Sequence, residues 1–253
     1  ILDGLDTEES TREVEVSIEY SATSVKKYYK TITVEGVDSG WIEYTEPFKV
    51  DKNNTTIYAK GINKIEIESL LGTKEITNID EIAPTIELLA DLVTPKQKVM
   101  VTVNANDDQE LDLIRYDKGI LDEEYFRENG NFVSNKGQAI ITENGIYTFY
   151  AKDMVGNETI ETIEITNIDL TAPDITIINK TTGLGIEATI EIDYGDSSVK
   201  KYSIGNEDNY VDYTGEFVIK AEEVYELANQ DGSLTIYALG QDSALNEAKV
   251  SEK

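Results

Sequence analysis

The phrase Thr-Asn-Ile-Asp-x-x-Ala-Pro occurs twice in the chain, at 77–84 and at 166–173, 89 residues apart. A fixed period near 90 residues marks an array of copies of one unit. Further echoes run in the same order. Ser24-Val25-Lys26-Lys27-Tyr28 returns as Ser198-Val199-Lys200-Lys201-Tyr202, 174 residues later, or two periods of 87. Thr56-Ile57-Tyr58-Ala59 returns as Thr148-Phe149-Tyr150-Ala151 and as Thr235-Ile236-Tyr237-Ala238. The segment from Trp41 to Phe48 matches that from Tyr210 to Phe217. The expected organisation is three repeats at 1–80, 83–169 and 172–253. Each is small for a domain with its own core, but sufficient. Such arrays supply length and presentation more often than chemistry.

Alternation of polar and apolar residues dominates inside the repeats. The run 13–20, Glu-Val-Glu-Val-Ser-Ile-Glu-Tyr, changes character at every step, the period of a half-buried strand. The runs 98–104 and 186–192 do the same. Turn signals such as Asn129-Gly130, Asn144-Gly145 and Asp231-Gly232 separate such runs at short intervals. About seven short strands per repeat predicts an all-β chain of two-sheet sandwiches. The stretch 221–230 is the exception, with Val224, Leu227 and Ala228 at helical spacing. Aligning the Tyr-Ala strands places Ile57, Phe149 and Ile236 at equivalent core positions. Tyr147 then sits where a tyrosine corner forms; the aligned Thr55 and Leu234 cannot form one, so repeats 1 and 3 are expected to close that end differently. Pro84 and Pro173 hold extended backbone at the junctions, where no Gly/Ser-rich tract intervenes. This predicts an elongated, monomeric rod with limited bending.

Charge and missing residue types narrow the function. The net charge is −28, from 50 acidic and 22 basic residues. Phosphate backbones and anionic membranes would be repelled, so nucleic acid is not an expected partner. No run approaches the length of a membrane-spanning helix, so membrane insertion is not expected either. Cysteine and histidine are both absent. The first absence separates the chain from disulfide-bearing eukaryotic arrays and points to a bacterial protein. The second removes the commonest general base and metal ligand together. The chain begins at Ile1 without a signal peptide, which reads as a piece of a longer exported protein.

The run 143–159, Glu-Asn-Gly-Ile-Tyr-Thr-Phe-Tyr-Ala-Lys-Asp-Met-Val-Gly-Asn-Glu-Thr, followed by Asn-Ile-Asp and Ala-Pro, resembles bacterial immunoglobulin-like repeats of Gram-positive, clostridial-type surface proteins. Repeat 3 keeps the pattern loosely as Asp242-Ser243-Ala244-Leu245-Asn246, whereas repeat 1 has Gly61-Ile62-Asn63-Lys64 instead. The resemblance implies three tandem immunoglobulin-like β-sandwich domains from a stalk or adhesin at the cell surface or cell wall. It names no ligand.

Acidic residues supply the candidate chemistry. Asp107-Asp108 and Asp122-Glu123-Glu124 are carboxylate pairs of the kind glycosidases use, but a solvated turn explains them better than a cleft does. Hard cations take oxygen ligands, so Asp153, Asn157 and Asp169 are candidate calcium ligands expected near one end of repeat 2, with Asp80 at the preceding junction. Asp-x-x-Gly-Asn is also ordinary turn chemistry. Lys–Asn isopeptide bonds, found in some stalk domains, are suggested by residue type but by no spacing. Trp41, the single tryptophan, could stack on a sugar with Tyr44, Tyr28 and Tyr29. Its counterpart Tyr210 argues for packing instead. No catalytic residues and no resident cofactor emerge. The expectation is a non-enzymatic spacer and presenter segment of an exported bacterial cell-surface or cell-wall-associated protein, with a host or cell-wall ligand as its possible, unidentified partner. The alternatives are a glycan- or host-protein-binding module, and an accessory region of a secreted hydrolase.

Overall fold

Val14, Val16 and Ile18 are buried while Glu15 and Ser17 face solvent, so the alternation in the sequence becomes a strand with one wet face. The same reasoning applies along the chain. The computed structural model describes residues 2–3, 9–182 and 186–253. Repeat 1 contains β1 (Leu2–Asp3), β2 (Val14–Ile18), β3 (Ser24–Ile32), β4 (Ile42–Glu43), β5 (Phe48–Val50), β6 (Thr55–Asn63) and β7 (Gly72–Ile76). Repeat 2 contains β8 (Thr85–Leu89), β9 (Val99–Asn106), β10 (Leu111–Lys118), helix α1 (Glu123–Glu128), β11 (Asn131–Phe132), β12 (Gln138–Ile141), β13 (Gly145–Asp153) and β14 (Glu158–Ile165). Repeat 3 contains β15 (Thr176–Asn179), β16 (Glu187–Asp193), β17 (Val199–Ile204), β18 (Val211–Asp212), β19 (Phe217–Lys220), helix α2 (Ala221–Val224) with a 3-10 turn at Tyr225–Leu227, β20 (Ile236–Gln241) and β21 (Glu247–Glu252).

In every repeat the first, second and fifth strands form one antiparallel sheet, and the fourth, third, sixth and seventh form the other. The chain is therefore all-β, with three tandem sandwiches of the immunoglobulin-like class. One detail departs from a constant immunoglobulin domain, whose fourth strand joins the first, second and fifth. Here the fourth strand pairs with the third, through Tyr28 opposite Glu43, Tyr116 opposite Asn131 and Lys201 opposite Asp212.

Three separate apolar cores lie between the sheets. Ile57, Phe149 and Ile236 all belong to them, at 0%, 0% and 5% exposure. Their expected equivalence is off by two residues, however. Ile76 and Ile165 are the last residues of the seventh strands, and they pair with Thr55 and Gly145. Across the sheet, Tyr29 faces Ala59, Tyr116 faces Phe149 and Tyr202 faces Ala238. The matching sets are thus Ile57, Tyr147 and Ile236, and Ala59, Phe149 and Ala238. A slip of two keeps every side chain on its face, so burial alone does not reveal it. Val25 supplies a second offset. A bulge between Ser24 and Lys26 adds one residue to β3, so Tyr29, not Tyr28, matches Tyr202.

The corrected register exposes a volume exchange. In repeats 1 and 3 the fifth strand carries Phe48 or Phe217, stacked on Tyr29 or Tyr202 at 3.9 and 4.2 Å between centroids. The sixth strand there carries the small Ala59 or Ala238. Repeat 2 reverses the pair. Ala139 takes the fifth-strand place, opposite Val101 as Phe48 is opposite Val16, and Phe149 stacks on Tyr116 at 5.3 Å. Close packing requires the sum of volumes and leaves open which strand supplies the ring. Tyr147 closes its end of the sandwich by donating its hydroxyl to the Glu143 carbonyl at 3.0 Å, a tyrosine corner. Thr55 makes a shorter version, donating to the Lys52 carbonyl at 2.7 Å.

Helix α2 and its 3-10 turn fall within the expected stretch. Helix α1 was not expected. Its N-cap is Asp122, which accepts from the Tyr125 amide at 3.0 Å, with Glu123 and Glu124 in the first turn. The acidic triplet is therefore a helix start. Phe126 of α1 is fully buried on the outer face of its sheet, stacked on Tyr150 at 5.3 Å.

Phe149→Ala is expected to destabilise repeat 2 by roughly 3–5 kcal/mol through the cavity it leaves. Adding Ala139→Phe should recover at least about 1.5 kcal/mol, since it recreates the arrangement of the other repeats. Thermal unfolding of the single and double variants measures both. A double variant no more stable than Phe149→Ala would mean that the corrected register is wrong.

Candidate functional site

The repeated phrase marks the junctions between repeats. Ile79 and Ile168 plug the cores of repeats 1 and 2, at 3% and 8% exposure. Their backbones add a short parallel bridge to the start of their own repeat, Ile79 to Thr11 and Ile168 to Lys96. Asn53 accepts from the Ile79 amide at 3.3 Å, and Asn144 from the Ile168 amide at 2.9 Å. The phrase asparagines also tie down the entering chain. Asn78 Nδ2 donates to the Glu9 carbonyl, and Asn167 Nδ2 to those of Asp91 and Thr94. Asp80 and Asp169 then turn the chain outward, each accepting through Oδ1 from the amide two residues on, Ile82 or Thr171, at 2.9 Å. Pro84 and Pro173 follow, both buried.

Each junction is gripped by the next repeat. Asp153 and Asn157 stand at the ends of the β13–β14 hairpin loop, at 0% and 8% exposure. Asp153 Oδ1 accepts from the amides of Val155, Gly156 and Asn157 at 2.9, 2.6 and 2.8 Å. Asn157 Nδ2 donates to Asp153 Oδ2 at 2.9 Å and, across the junction, to the carbonyls of Asp80 and Ile82 at 3.2 and 2.9 Å. Repeat 3 repeats the device. Asp242 Oδ2 accepts from Asn246 Nδ2 at 2.9 Å, and that nitrogen reaches the Asp169 carbonyl at 3.0 Å. Gln97 of repeat 2 donates to Asn246 Oδ1 at 3.0 Å, and Arg12 of repeat 1 donates to the Gly156 carbonyl at 3.1 Å. In repeat 1 the matching turn closes on itself, with Asn63 Oδ1 accepting from the Ile65 and Ile67 amides at 3.0 Å each.

Asp153, Asn157 and Asp169 therefore do not converge. The first two stand at the first junction, where hydrogen bonds engage both oxygens of Asp153. Asp169 stands at the second junction, bonded by Lys96 and Asn246. A different set converges at the first junction. Asp80, Asp107 and Asp108 each present a carboxylate oxygen within 4.8 Å of the other two. Asp80 is 7% exposed with Oδ2 unpaired, and both oxygens of Asp107 are buried without a hydrogen-bond partner. Among the described residues no Lys or Arg forms an ion pair with these three. Burial pushes the Asp107 carboxyl above its ordinary range. The Gln109 amide lies near enough to offset this in part without reaching hydrogen-bond geometry, and Asp108, Asp153 and Asp80 add to the rise. In the sequence Asp107-Asp108 reads as a solvated turn, because Asp80 is remote along the chain.

Trp41 is not a bare platform. It is 40% exposed, with the Lys60 and Lys30 ammonium groups 4.6 and 5.8 Å from its ring centroid. Those lysines are paired with Glu68 and Asp38 at 2.9 and 2.7 Å.

No known protein family matches the chain, and no curated protein does. Among solved structures the chain is similar to part of a 1.5-MDa bacterial ice-binding adhesin, in work on host cell surface retention. The identity is 12% and the TM-score 0.43, over 94% of this chain and 88% of that one. It is also similar to the FN1–FN3 domains of chicken CNTN1, at 10% identity and a TM-score of 0.29, over 98% and 96% of the two chains.

Two outcomes follow from the clasp. Asn157→Ala leaves buried carbonyls unpaired and should cost about 1–3 kcal/mol in thermal or urea unfolding. Leu245 occupies the left-handed position, at φ 71°, where repeat 2 has Gly156 at φ 100°. Leu245→Gly should therefore stabilise repeat 3 by about 0.5–1 kcal/mol, the relieved strain less the entropy of glycine. A drop in melting temperature would show that Leu245 is not strained.

The Asp107 shift also carries a sign. A carboxyl raised in the folded state destabilises the fold when ionised, and the loss is recovered as pH falls through the raised value toward the ordinary one. In chelator, Asp107→Asn should raise the melting temperature at pH 7, with the gain shrinking toward pH 4. An equal gain at both pH values would show that Asp107 is not the group responsible.

Proposed function

We propose that this chain is a non-enzymatic spacer and presenter segment of an exported bacterial surface protein, built as a semi-rigid monomeric rod. The observation that carries the proposal is the side-chain clasp, which recurs at both junctions with the same atoms. A clasp that directs each repeat relative to the last suits a part whose output is reach. The chain also lacks His and Cys, which removes the common triads and thiol chemistry. The resemblance of the 143–159 run to Gram-positive surface repeats supports the location outside the cell. The lysines over Trp41 speak against an open sugar-stacking face.

Small-angle scattering of the whole chain tests the reading. The longest strands, β6 and β13, have nine residues each. At ~3.3 Å per residue this gives roughly 30 Å per repeat, hence a maximum dimension on the order of 100 Å for a rod. Asn157→Ala should broaden the distance distribution. A dimension near that of a compact globule of this mass would end the rod proposal. Turnover of a glycan or peptide, lost on changing one carboxylate, would end the non-enzymatic one.

A further inference from the structure

We propose that Asp80, Asp107 and Asp108 bind a calcium ion that bridges repeats 1 and 2. Asp80 leaves the last core position of repeat 1, while Asp107 and Asp108 follow β9 in repeat 2, so the set exists only when the two repeats are in register. Calcium binds oxygens at about 2.3–2.6 Å, so ligands on one ion lie no more than ~5 Å apart. The three carboxylates meet that limit, one oxygen of each lying within 4.8 Å of the other two. A buried carboxylate without donor or cation is costly. Here three buried oxygens are in that condition, Asp80 Oδ2 and both of Asp107. Asp80 is 7% exposed, and its other oxygen is already committed to the Ile82 amide. Arg12, which crosses this junction, gives a guanidinium nitrogen to the Gly156 carbonyl.

The donor set selects the ion. All three groups are hard oxygen donors, and the chain has no His or Cys to favour zinc. Asp108 is exposed, which leaves an open side where water can complete a coordination number of six to eight. Magnesium holds its waters more tightly and demands octahedral geometry, so it should compete weakly.

The second junction is an internal control. It has the same Asn clasp, but the residues matching Asp107 and Asp108 are Asp196, which is exposed, and Ser197, whose hydroxyl donates to the Tyr194 carbonyl at 2.7 Å. The site does not depend on the spacer reading, since it stands on the carboxylates alone.

Calorimetric titration of the whole chain with calcium chloride, after chelator treatment, should show one site. Thermal unfolding should shift upward from chelator to millimolar calcium, and less in millimolar magnesium. Asp107→Asn and Asp108→Asn should each weaken binding at least tenfold and abolish the shift. Asp108 is exposed, so its variant tests the site without threatening the fold. Asp196→Asn should change neither. The absence of both heat and shift in the unaltered chain would overturn the proposal. So would a shift retained in the Asp107 and Asp108 variants, which would place the binding elsewhere on the acidic surface.

Discussion

A primary amide that serves two repeats at once is the interaction on which the architecture turns. Asn157 has two hydrogens on Nδ2 and three acceptors within reach, the Asp153 carboxylate and the carbonyls of Asp80 and Ile82. The carboxylate is charged and is itself held by three backbone amides, so the side chain starts from a fixed orientation. The carbonyls it meets belong to a segment 75 and 77 residues earlier. A short hairpin loop thereby sets the direction in which the preceding repeat departs. Replacing the amide by a carboxylate would present acceptor to acceptor, and a hydroxyl would be too short to span both partners. Asparagine at this place follows from the donors required.

The cores obey a looser constraint. Repeat 2 carries its phenylalanine on β13 and its alanine on β12, whereas repeats 1 and 3 do the opposite. In all three a tyrosine of the third strand packs against the ring, at 3.9, 5.3 and 4.2 Å. The space to be filled is shared by two facing strands, so either can fill it. This freedom explains why the repeats retain a common phrase at their junctions and differ inside. At the junction particular donors and acceptors must meet, but in the core only volume and apolarity must be met.

Much of the fold could be read from the chain because its signals are local. Alternation marked strands such as β2, and the turn dipeptides spaced them. The helical spacing near Val224 located α2. The misjudged features share a cause. The Tyr-Ala echo suggested a register wrong by two residues, which period-2 burial cannot detect. The bulge at Val25 was invisible because one inserted residue leaves the motif Ser-Val-Lys-Lys-Tyr intact. Helix α1 carries a signal, Asp122 before two glutamates and an apolar pair, but the same residues also read as a charge cluster. The junction sites were the least legible. Asn157 and Asp153 looked like turn residues, which they are, and nothing near them in sequence names Asp80 or Ile82 as partners. Asp107 and Asp108 gain meaning only when the fold brings Asp80 to them.

The acidic composition acts differently at the junction and over the rest of the surface. Charges on the flanks of neighbouring repeats are separated by water and salt, and at physiological ionic strength their repulsion fades beyond about 8 Å. Net charge alone therefore cannot set the angle between repeats. Asp80 and Asp107 are closer than that distance, and their inward oxygens are removed from solvent. Mobile ions screen such a pair poorly, so its repulsion persists in salt. Only a proton or a directly bound cation can neutralise it. The two junctions of this chain therefore differ in kind. The second is closed by neutral donors, Asn246 and Gln97, and among the described residues no group of three carboxylates stands beside it. The first has the same clasp but places three carboxylates beside it, so its stability depends on what occupies the space between them. With a cation between those carboxylates, such a chain can change its rigidity at a single defined place while the repeats themselves remain unaltered.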